Sequence, residues 1–252
     1  MFYDYDAGTI LKKIKTFSTI KYSENIKPAK SFIPDWYKES NRYVGNNDNL
    51  KVFSDGNSNP GIKLCSPFLD SLTTGYIATL WQDVYVEKTE LGSSVKWRPS
   101  QHEKYIESSD SPVNERPRRN GPAEKLPTPA GHQEQHFSWL HPYTFKLPEG
   151  YSALVTHPLN RFDLPFTTLS GVVDADIFPM VPGNIPFFIK NDFSGLIKQG
   201  TPIFQIIPFR RENWKSEIDL DLIEKVKEVK FRSTSVFSGW YKKNSWSKKH
   251  YE

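Results

Sequence analysis

The sequence predicts a mostly β fold, either a β-sandwich or a Greek-key barrel. Short apolar segments recur about every ten residues between residues 137 and 210, with turn residues between them and no helical periodicity. Aromatic residues make up 14% of the chain and there are 19 prolines, a composition that favours strands and turns over long helices. At 252 residues the chain is long enough to bury a sizeable core.

Composition excludes several classes of protein. A net charge of +4, from 33 basic and 29 acidic residues, is too balanced to predict nucleic-acid binding. The single cysteine, Cys65, rules out an intrachain disulfide and fits a reducing compartment, and we expect its thiol to be buried. No stretch approaches the ~20 apolar residues that span a bilayer, and the N-terminal residues lack the pattern of a secretory signal. We therefore expect a cytoplasmic protein without a membrane partner.

Three regions are expected along the chain. Residues 1–61 form an irregular N-terminal extension, with a short helix near Pro34 and Asp35, whose residue types suit a first helical turn. Residues 62–215 form the β domain, interrupted at 99–136 by a proline-rich excursion with few large apolar residues. Residues 216–252 form a C-terminal helix and a basic, aromatic tail, the helix being predicted at 218–231 from its apolar spacing.

Within the β domain, each strand is predicted from alternation of apolar and polar residues between turn signals. Residues 62–87 form the first β region, with a return strand at 95–99, and residues 137–161 form two strands around the turn Leu147 to Gly150. Later strands are predicted within 167–178, 184–193 and 201–212. We expect most tryptophans to lie in the core or at interfaces, where aromatic side chains contribute most.

Five short motifs occur in a recognisable order. They are Gly75-Tyr76, Leu147 to Gly150, Gly171 to Asp176, Gly183 to Asn191, and Gly200 to Gln205. In this order they resemble the dUTPase and dCTP-deaminase superfamily over about residues 70–210. The resemblance implies a distorted jelly roll of the β-clip type, which usually assembles as a trimer with nucleotide sites between subunits.

The resemblance also implies roles for individual residues. Asp174 would be the catalytic base that activates water, and a carboxylate ionised at neutral pH suits that role. Arg161 would hold a phosphate, since guanidinium binds phosphate through two hydrogen bonds, and His157 would assist. Three further residues would line the ligand site: Asp176, Gln205 and Tyr76.

The sequence departs from both families at other functional positions. His157 to Arg161 replaces the Arg-Ser-Gly phosphate segment, and Ile77 to Thr79 stands where dUTPases carry an aspartate for the metal–triphosphate complex. Phe187 and Phe188 lie where the deaminases need a glutamate. A structural alternative therefore stays open for Asp174 and Asp176, because aspartates at strand ends commonly accept backbone N–H bonds and cap turns.

A histidine cluster is the one candidate metal site. His132, His136 and His141, with Glu134 between them and His157 as a further ligand, are residue types that bind a divalent transition metal. The alternative is that these histidines only form hydrogen bonds. The basic cluster of Arg116, Arg118 and Arg119 is a candidate anion site or a solvated loop. A divalent metal at the histidine cluster is the one cofactor that the sequence suggests.

A second resemblance covers nearly the whole chain. Residues 27–38, 65–77 and 156–174 are similar to an uncharacterised family of tailed phages and bacteria. Our first hypothesis is a homo-oligomer, preferably a trimer, that binds a nucleotide-like or other phosphorylated small ligand and retains pyrophosphatase-type hydrolysis. The alternative is a non-enzymatic phage virion or assembly protein that uses the jelly roll for contacts with itself and with virion partners, in the host cytoplasm or the virion. A metal-dependent oxidoreductase built on the histidine cluster is the third hypothesis.

Overall fold

The structure is a computed structural model that describes residues 16–18, 26–44, 60–90, 92–97, 111–114, 127–141, 143–177, 184–235, 242, 244 and 246–251. Strands outnumber helices, so the prediction of a mostly β fold is confirmed. The strands β1 to β14 are Thr16–Ser18, Ile26–Pro28, Tyr76–Thr79, Val84–Thr89, Gly92–Trp97, Val113–Asn114, His132–Leu140, Tyr143–Phe145, Tyr151–Thr156, Phe166–Thr168, Gly171–Val173, Asn184–Lys190, Gly195–Ile197 and Pro202–Arg210. The helices α1 to α3 are Asp35–Glu39, Ser66–Thr73 and Leu222–Ser235.

The described strands pair antiparallel in three sheets and one ribbon. The five-stranded sheet has the order β11-β9-β14-β3-β2, and the four-stranded sheet has the order β10-β12-β7-β6. The three-stranded sheet has the order β13-β4-β5, while β1 pairs with β8 as a separate ribbon. The jelly-roll arrangement of the β-clip type stays a prediction.

One hydrophobic core joins the three sheets. In β4 burial alternates, since Val84 and Val86 are buried and Tyr85 between them is exposed, whereas all four residues of β3 are buried. In the four-stranded sheet, Trp139 of β7 stacks on Phe187 of β12 with ring centroids 3.7 Å apart. The two buried valines of β4, Trp139 and Phe187 all belong to the same core cluster.

A buried chain of hydrogen bonds ties the four-stranded sheet to the five-stranded sheet. The indole Nε1 of Trp139 donates to Thr168 Oγ1 at 3.0 Å, and that hydroxyl donates to the carbonyl of Ile203 at 2.6 Å. Because buried polar groups are costly unless they are paired, these bonds fix the position of β14 relative to β7 and β10.

Part of the outer face of the five-stranded sheet is covered by α2 and the turn at 157–161. Gln205 of β14 points to this face, and its Nε2 donates to the carbonyls of Thr74 at 2.6 Å and Ser71 at 3.1 Å. Its Oε1 accepts the backbone N–H of Leu159 at 2.8 Å. The amide of Gln205, which is 1% exposed, therefore holds both covering segments on the sheet.

The part of this face that α2 and the turn do not cover, on β11, β9 and the end of β14, carries apolar side chains that face solvent. Val172 of β11 lies opposite Leu154 of β9, which lies opposite Ile207 of β14, and Phe209 follows two residues later on the same face. Val172 is 64% exposed and Phe209 is 40% exposed, and Leu154 and Ile207 are only partly buried. We call these four side chains the open patch.

The C-terminal tail returns to the folded domain. Trp246 Nε1 donates to Asp70 Oδ2 of α2 at 2.8 Å, and Lys249 Nζ donates to the same oxygen at 2.5 Å. Tyr251 is buried edge-on against Tyr76, with centroids 5.9 Å apart. The chain between Arg210 and Trp246 is therefore attached to the domain at both of its ends.

Several elements differ from the sequence expectations. Helix α2 lies at the start of the predicted β region 62–87, and Pro67 in its first turn is the signal for it. Cys65, which precedes α2, is exposed, so the expectation of a buried thiol is wrong. The predicted excursion ends inside a strand, since β7 begins at His132, and Val113 within the excursion is buried because β6 pairs with β7.

At the two ends of the chain, three segments can be compared with the expected regions. Strand β2, from the predicted extension, pairs with β3 in the main sheet. Helix α1 begins at Asp35 directly after Pro34, as predicted. Helix α3 starts at Leu222 rather than residue 218, because the carboxylate of Asp219 accepts the N–H of Asp221 and closes a turn first. None of the described helices is long and apolar enough to cross a membrane.

Replacing Gly75 with alanine will lower the free energy of unfolding by clearly more than the same change at Gly131. Both glycines have positive φ, +71° and +77°, which costs other residues roughly 1–2 kcal/mol. Only at Gly75 would the new Cβ also meet backbone, 2.1 Å from the carbonyl oxygen of Ile206, whereas nothing lies within 4 Å at Gly131. Urea unfolding of the two variants measures the difference, and equal losses would contradict the close approach of β14 to Gly75.

Candidate functional site

The two aspartates after β11 bind one arginine. Arg211, directly after β14, reaches both carboxylates: Nη1 donates to Asp176 Oδ1 at 2.7 Å, and Nη2 donates to Asp176 Oδ2. The same Nη1 lies 3.3 Å from Asp174 Oδ1. In the sheet, β9 lies between β11 and β14 and is antiparallel to both. The residues that follow β11 and β14 and those that precede β9 therefore lie at the same end of the strands.

Backbone groups complete the binding of Asp176. Its Oδ2 accepts the N–H of Gly150, in the turn before β9, at 2.7 Å, and its Oδ1 accepts the N–H of Ile177 at 2.9 Å. The carboxylate is 4% exposed. Its hydrogen bonds from Arg211 hold the pKa of Asp176 well below its usual range, against the opposite effect of desolvation, and the N–H of Gly150 adds to this. Asp176 therefore stays ionised and joins three segments of the chain.

Asp174 is more open than Asp176. Its Oδ1 accepts the hydroxyl proton of Ser152 at 2.5 Å, while its side chain is 55% exposed. Ser152 is buried, and its Oγ also accepts a hydrogen bond from Arg211 Nη1 at 3.2 Å. Asp174, Ser152 and Arg211 thus form a small polar cluster, which lies beside Phe209 because Ser152 is the cross-strand partner of Phe209.

Arg161, the predicted phosphate ligand, pairs with a neighbouring carboxylate. Its Nε donates to Asp163 Oδ1 at 2.9 Å and its Nη2 donates to Asp163 Oδ2 at 2.8 Å, while Nη1 donates to the carbonyl of Phe32. Burial alone would raise the pKa of Asp163, but the hydrogen bonds and charge of Arg161 lower it overall. The side chain of Arg161 is 14% exposed. The two donors with which it would bind a phosphate, Nε and Nη2, are already hydrogen-bonded to Asp163.

His157, the predicted assistant of Arg161, has its tautomer fixed by two backbone groups. The N–H of Thr168 donates to Nδ1 at 3.2 Å, so Nδ1 carries no proton, and Nε2 donates to the carbonyl of Arg161 at 3.1 Å. Burial lowers the pKa of His157, so the ring is neutral at physiological pH. A neutral ring in this position closes the turn at 157–161 and contributes no charge toward a phosphate.

The remaining predicted ligand residues are inside the domain. Gln205 makes its three hydrogen bonds to the chain as described above. Tyr76 is 9% exposed and belongs to the hydrophobic core. The structure thus gathers Gln205, His157 and Arg161 around the turn at 157–161, and places Asp174 and Asp176 in a different cluster with Arg211. Their roles in binding a ligand stay predictions.

The histidines of the candidate metal site do not meet. His132 and His136 lie on the same strand, where a rise of about 3.3 Å per residue separates them by about 13 Å. The ring of His132 bonds to Thr167 Oγ1 at 2.9 Å, that of His136 packs on Phe188, and His141 is buried against Phe204. Among the residues that the structure describes, no group of three or more His, Cys, Asp or Glu side chains is arranged to hold a metal ion.

Two members of the polar cluster, Arg211 and Ser152, were not predicted from the sequence. Both lie in strands or strand ends that were predicted, yet none of the five motifs of the resemblance includes them. The signal was available in the pattern, because Ser152 is a polar residue within the apolar run 151–156 and Arg211 follows directly after β14. The predicted anion cluster of Arg116, Arg118 and Arg119 lies outside the described residues.

The fold and the paired polar residues define a mostly β protein whose polar clusters are built from contacts within the chain. Comparison of the chain with family models, with curated proteins and with solved structures gives no match. The resemblance to the dUTPase superfamily therefore stays a prediction.

Replacing Asp176 with asparagine will lower the melting temperature by more than replacing Asp174 with asparagine. At position 176 the change removes the charge that Arg211 neutralises and turns one acceptor into an amide that faces N–H donors. At position 174 the carboxylate is half exposed, so water replaces the lost contacts. Differential scanning calorimetry of both variants tests the order, and a larger loss for Asp174→Asn would contradict it.

Acidification below pH 6.5 will destabilise the protein through His157. Its pKa is lowered in the folded state, so between that value and about 6.5 the unfolded chain binds the extra proton and stability falls as the pH falls. The contribution of this group has a slope of at most about 1.4 kcal/mol per pH unit. In urea unfolding between pH 7.5 and 5, a His157→Asn variant should show a shallower loss than the wild type. Parallel curves, whatever the basal stability of the variant, would show that His157 does not titrate in this way.

Proposed function

We propose that the chain is a non-enzymatic structural protein that assembles with copies of itself through the open patch. The observation that carries the proposal is the open patch itself: four apolar side chains in register across three strands, left uncovered on a face that is otherwise closed by α2 and the turn at 157–161. Contiguous exposed apolar surface on a folded domain marks contact sites. Burying these side chains in a second copy is favourable by roughly 25 cal/mol per Å² of apolar area.

The polar residues support the same proposal. A phosphate site needs a cation with free hydrogen-bond donors, and the fork of Arg161 is used by Asp163 while that of Arg211 is used by Asp176. His157 is neutral, and both the amide oxygen and the amide nitrogen of Gln205 are hydrogen-bonded within the chain. These side chains contribute to the stability of the domain, and a ligand would have to displace their partners.

The proposed setting follows from the resemblances in the sequence. The dUTPase-like order of motifs leads us to propose a β-clip jelly roll that forms a symmetric homo-oligomer, preferably a trimer. The similarity to a tailed-phage family leads us to propose a virion or assembly protein with virion partners. Strands β3, β9, β11 and β14, which contain or adjoin four of the five motifs, support the proposal of a β-clip fold because they are consecutive in the five-stranded sheet.

A second candidate function is favoured by one observation, the exposed carboxylate of Asp174. It accepts a hydrogen bond from the Ser152 hydroxyl and lies 3.3 Å from the guanidinium of Arg211. Among the described residues of the predicted site, Asp174 is the only one whose ionisable group is exposed to solvent and also contacts other polar side chains. Such a carboxylate could orient water at a bound nucleotide-like or phosphorylated ligand.

Native mass spectrometry and light scattering of the whole chain test self-assembly. We expect the wild type to form an oligomer and Val172→Lys to shift it to smaller species by at least tenfold in dissociation constant, since a lysine in the open patch would bury a charge. The matched control is Leu196→Lys, a similar change on β13, outside the open patch. A monomeric wild type at micromolar concentrations, or an oligomer that Val172→Lys leaves intact, would overturn the proposal.

A panel of nucleoside triphosphates separates the two candidate functions. For a structural protein we expect no rise in melting temperature and no product. A rise with one nucleotide, together with product formation that is lost in Asp174→Asn, would replace the proposal with the second candidate.

A further inference from the structure

The segment after β14 leaves the domain and stays exposed. Every described residue from Glu212 to Lys227 is exposed, including Trp214 at 87% and Ile218 at 88%. Helix α3 belongs to this segment, and its four aliphatic side chains Leu222, Ile223, Val226 and Val229 are about half exposed. An isolated helix of 14 residues is marginal in water, so α3 depends on packing that its own described chain does not provide.

The exposed aliphatic residues of α3 form one stripe. Leu222, Val226 and Val229 have the spacing i, i+4 and i+7, which places them on one side of a helix with 3.6 residues per turn, and Ile223 lies beside them. Glu224 points to the opposite side, where it accepts a hydrogen bond from Lys227 at 2.6 Å. The stripe is therefore separated from the polar side of the helix.

The two ends of α3 differ in charge. Asp219 and Asp221 precede its first turn, and Asp219 is held there because its Oδ1 accepts the N–H of Asp221 at 3.0 Å. In the second half of the helix the sequence carries Lys230 and Arg232, and the first half carries both signs, with Glu224, Lys225, Lys227 and Glu228. One end of the stripe is thus flanked by negative charge and the other by positive charge.

We propose that α3 pairs with α3 of a second copy of this chain, antiparallel, with the two aliphatic stripes in contact. In this arrangement the acidic end of each helix faces the basic end of the other at both ends of the pair, and the helix dipoles oppose each other favourably. A parallel pair would place like charges together at both ends. The opposite charges at the two ends of α3 therefore favour a second copy of this chain as the partner, and the antiparallel direction for the pair.

The pairing has two-fold symmetry, so it joins copies in twos. It rests on the proposal that the chain assembles with itself, but it uses a surface separate from the open patch. A trimer formed through the β domain would become a hexamer through three α3 pairs, and a monomer would become a dimer. An even number of copies is the expected signature.

Charge exchange on the full chain tests the pairing. The first variant is Asp219→Asn with Asp221→Lys, which removes the acidic end and keeps a side-chain oxygen at position 219 for the turn. The second is Lys230→Glu with Arg232→Glu, which removes the basic end. In native mass spectrometry we expect each variant alone to show half the wild-type mass. Mixed one to one, they should regain the full mass, because every contact in the mixed pair joins opposite charges.

Two further variants control the experiment. Val226→Lys interrupts the stripe and should halve the mass without recovery on mixing, whereas Lys248→Glu, a charge reversal in the exposed tail, should leave the mass unchanged. Circular dichroism reports whether each variant keeps the fold of the β domain. The recovery on mixing cannot come from unfolded chains, so it keeps the test valid if single variants lose stability.

The outcomes separate this proposal from that of the open patch. If Val226→Lys and both charge variants keep the wild-type mass while Val172→Lys lowers it, the α3 pair is overturned and assembly through the open patch stands. If the charge variants halve the mass and fail to recover it on mixing, pairing through complementary charges at the helix ends is overturned. A monomeric wild type overturns both proposals, and a different protein would then be the binding partner of the stripe.

Discussion

The arrangement of the outer sheet face depends on satisfying one buried amide. Gln205 brings a side chain with two donors and one acceptor group into a site that is closed to water, and leaving these groups unpaired would cost more than the strand gains by burying them. The carbonyls at the end of α2 and the N–H of Leu159 supply the partners, so α2 and the turn at 157–161 are drawn onto β14. Asn160 reinforces this junction, since its side chain donates to Ser71 while its backbone takes a positive φ of 59°, which asparagine tolerates.

Because α2 and the turn at 157–161 cover part of the outer sheet face, only the uncovered part is available for contacts with other molecules. The residues that would form a ligand site are used to hold the covering segments and the strand ends together, each bonded to a neighbour from a different part of the chain. Arg161 links the turn to Phe32, and Arg211 links β14 to the residues after β11. Most polar side chains of the predicted site are therefore held in contacts within the chain, and the open patch is the apolar surface that this sheet face leaves to solvent.

The fold could be predicted from the sequence wherever a segment had a local period. The turn at Gly150 with its positive φ and the apolar stripe of α3 were both predictable, because each depends on neighbours within a few residues. Helix α2 was not, since eight residues inside an apolar region do not distinguish a strand from a helix without the cue of Pro67. The cluster around Arg211 could not be derived either, because it joins residues 35 and 37 positions apart that meet only when three strands are in register.

The return of the C-terminal tail has a mechanical consequence. Because Trp246, Lys249 and Tyr251 are bound to α2 and β3, a pull on α3 is divided between the end of β14 and the tail. The pull on β14 runs along a strand bonded to neighbours on both sides, so it loads many hydrogen bonds in shear, whereas the tail has only a few contacts to give. Under tension the tail would detach first, which frees the segment that contains α3 at one of its two attachments while the sheet stays intact.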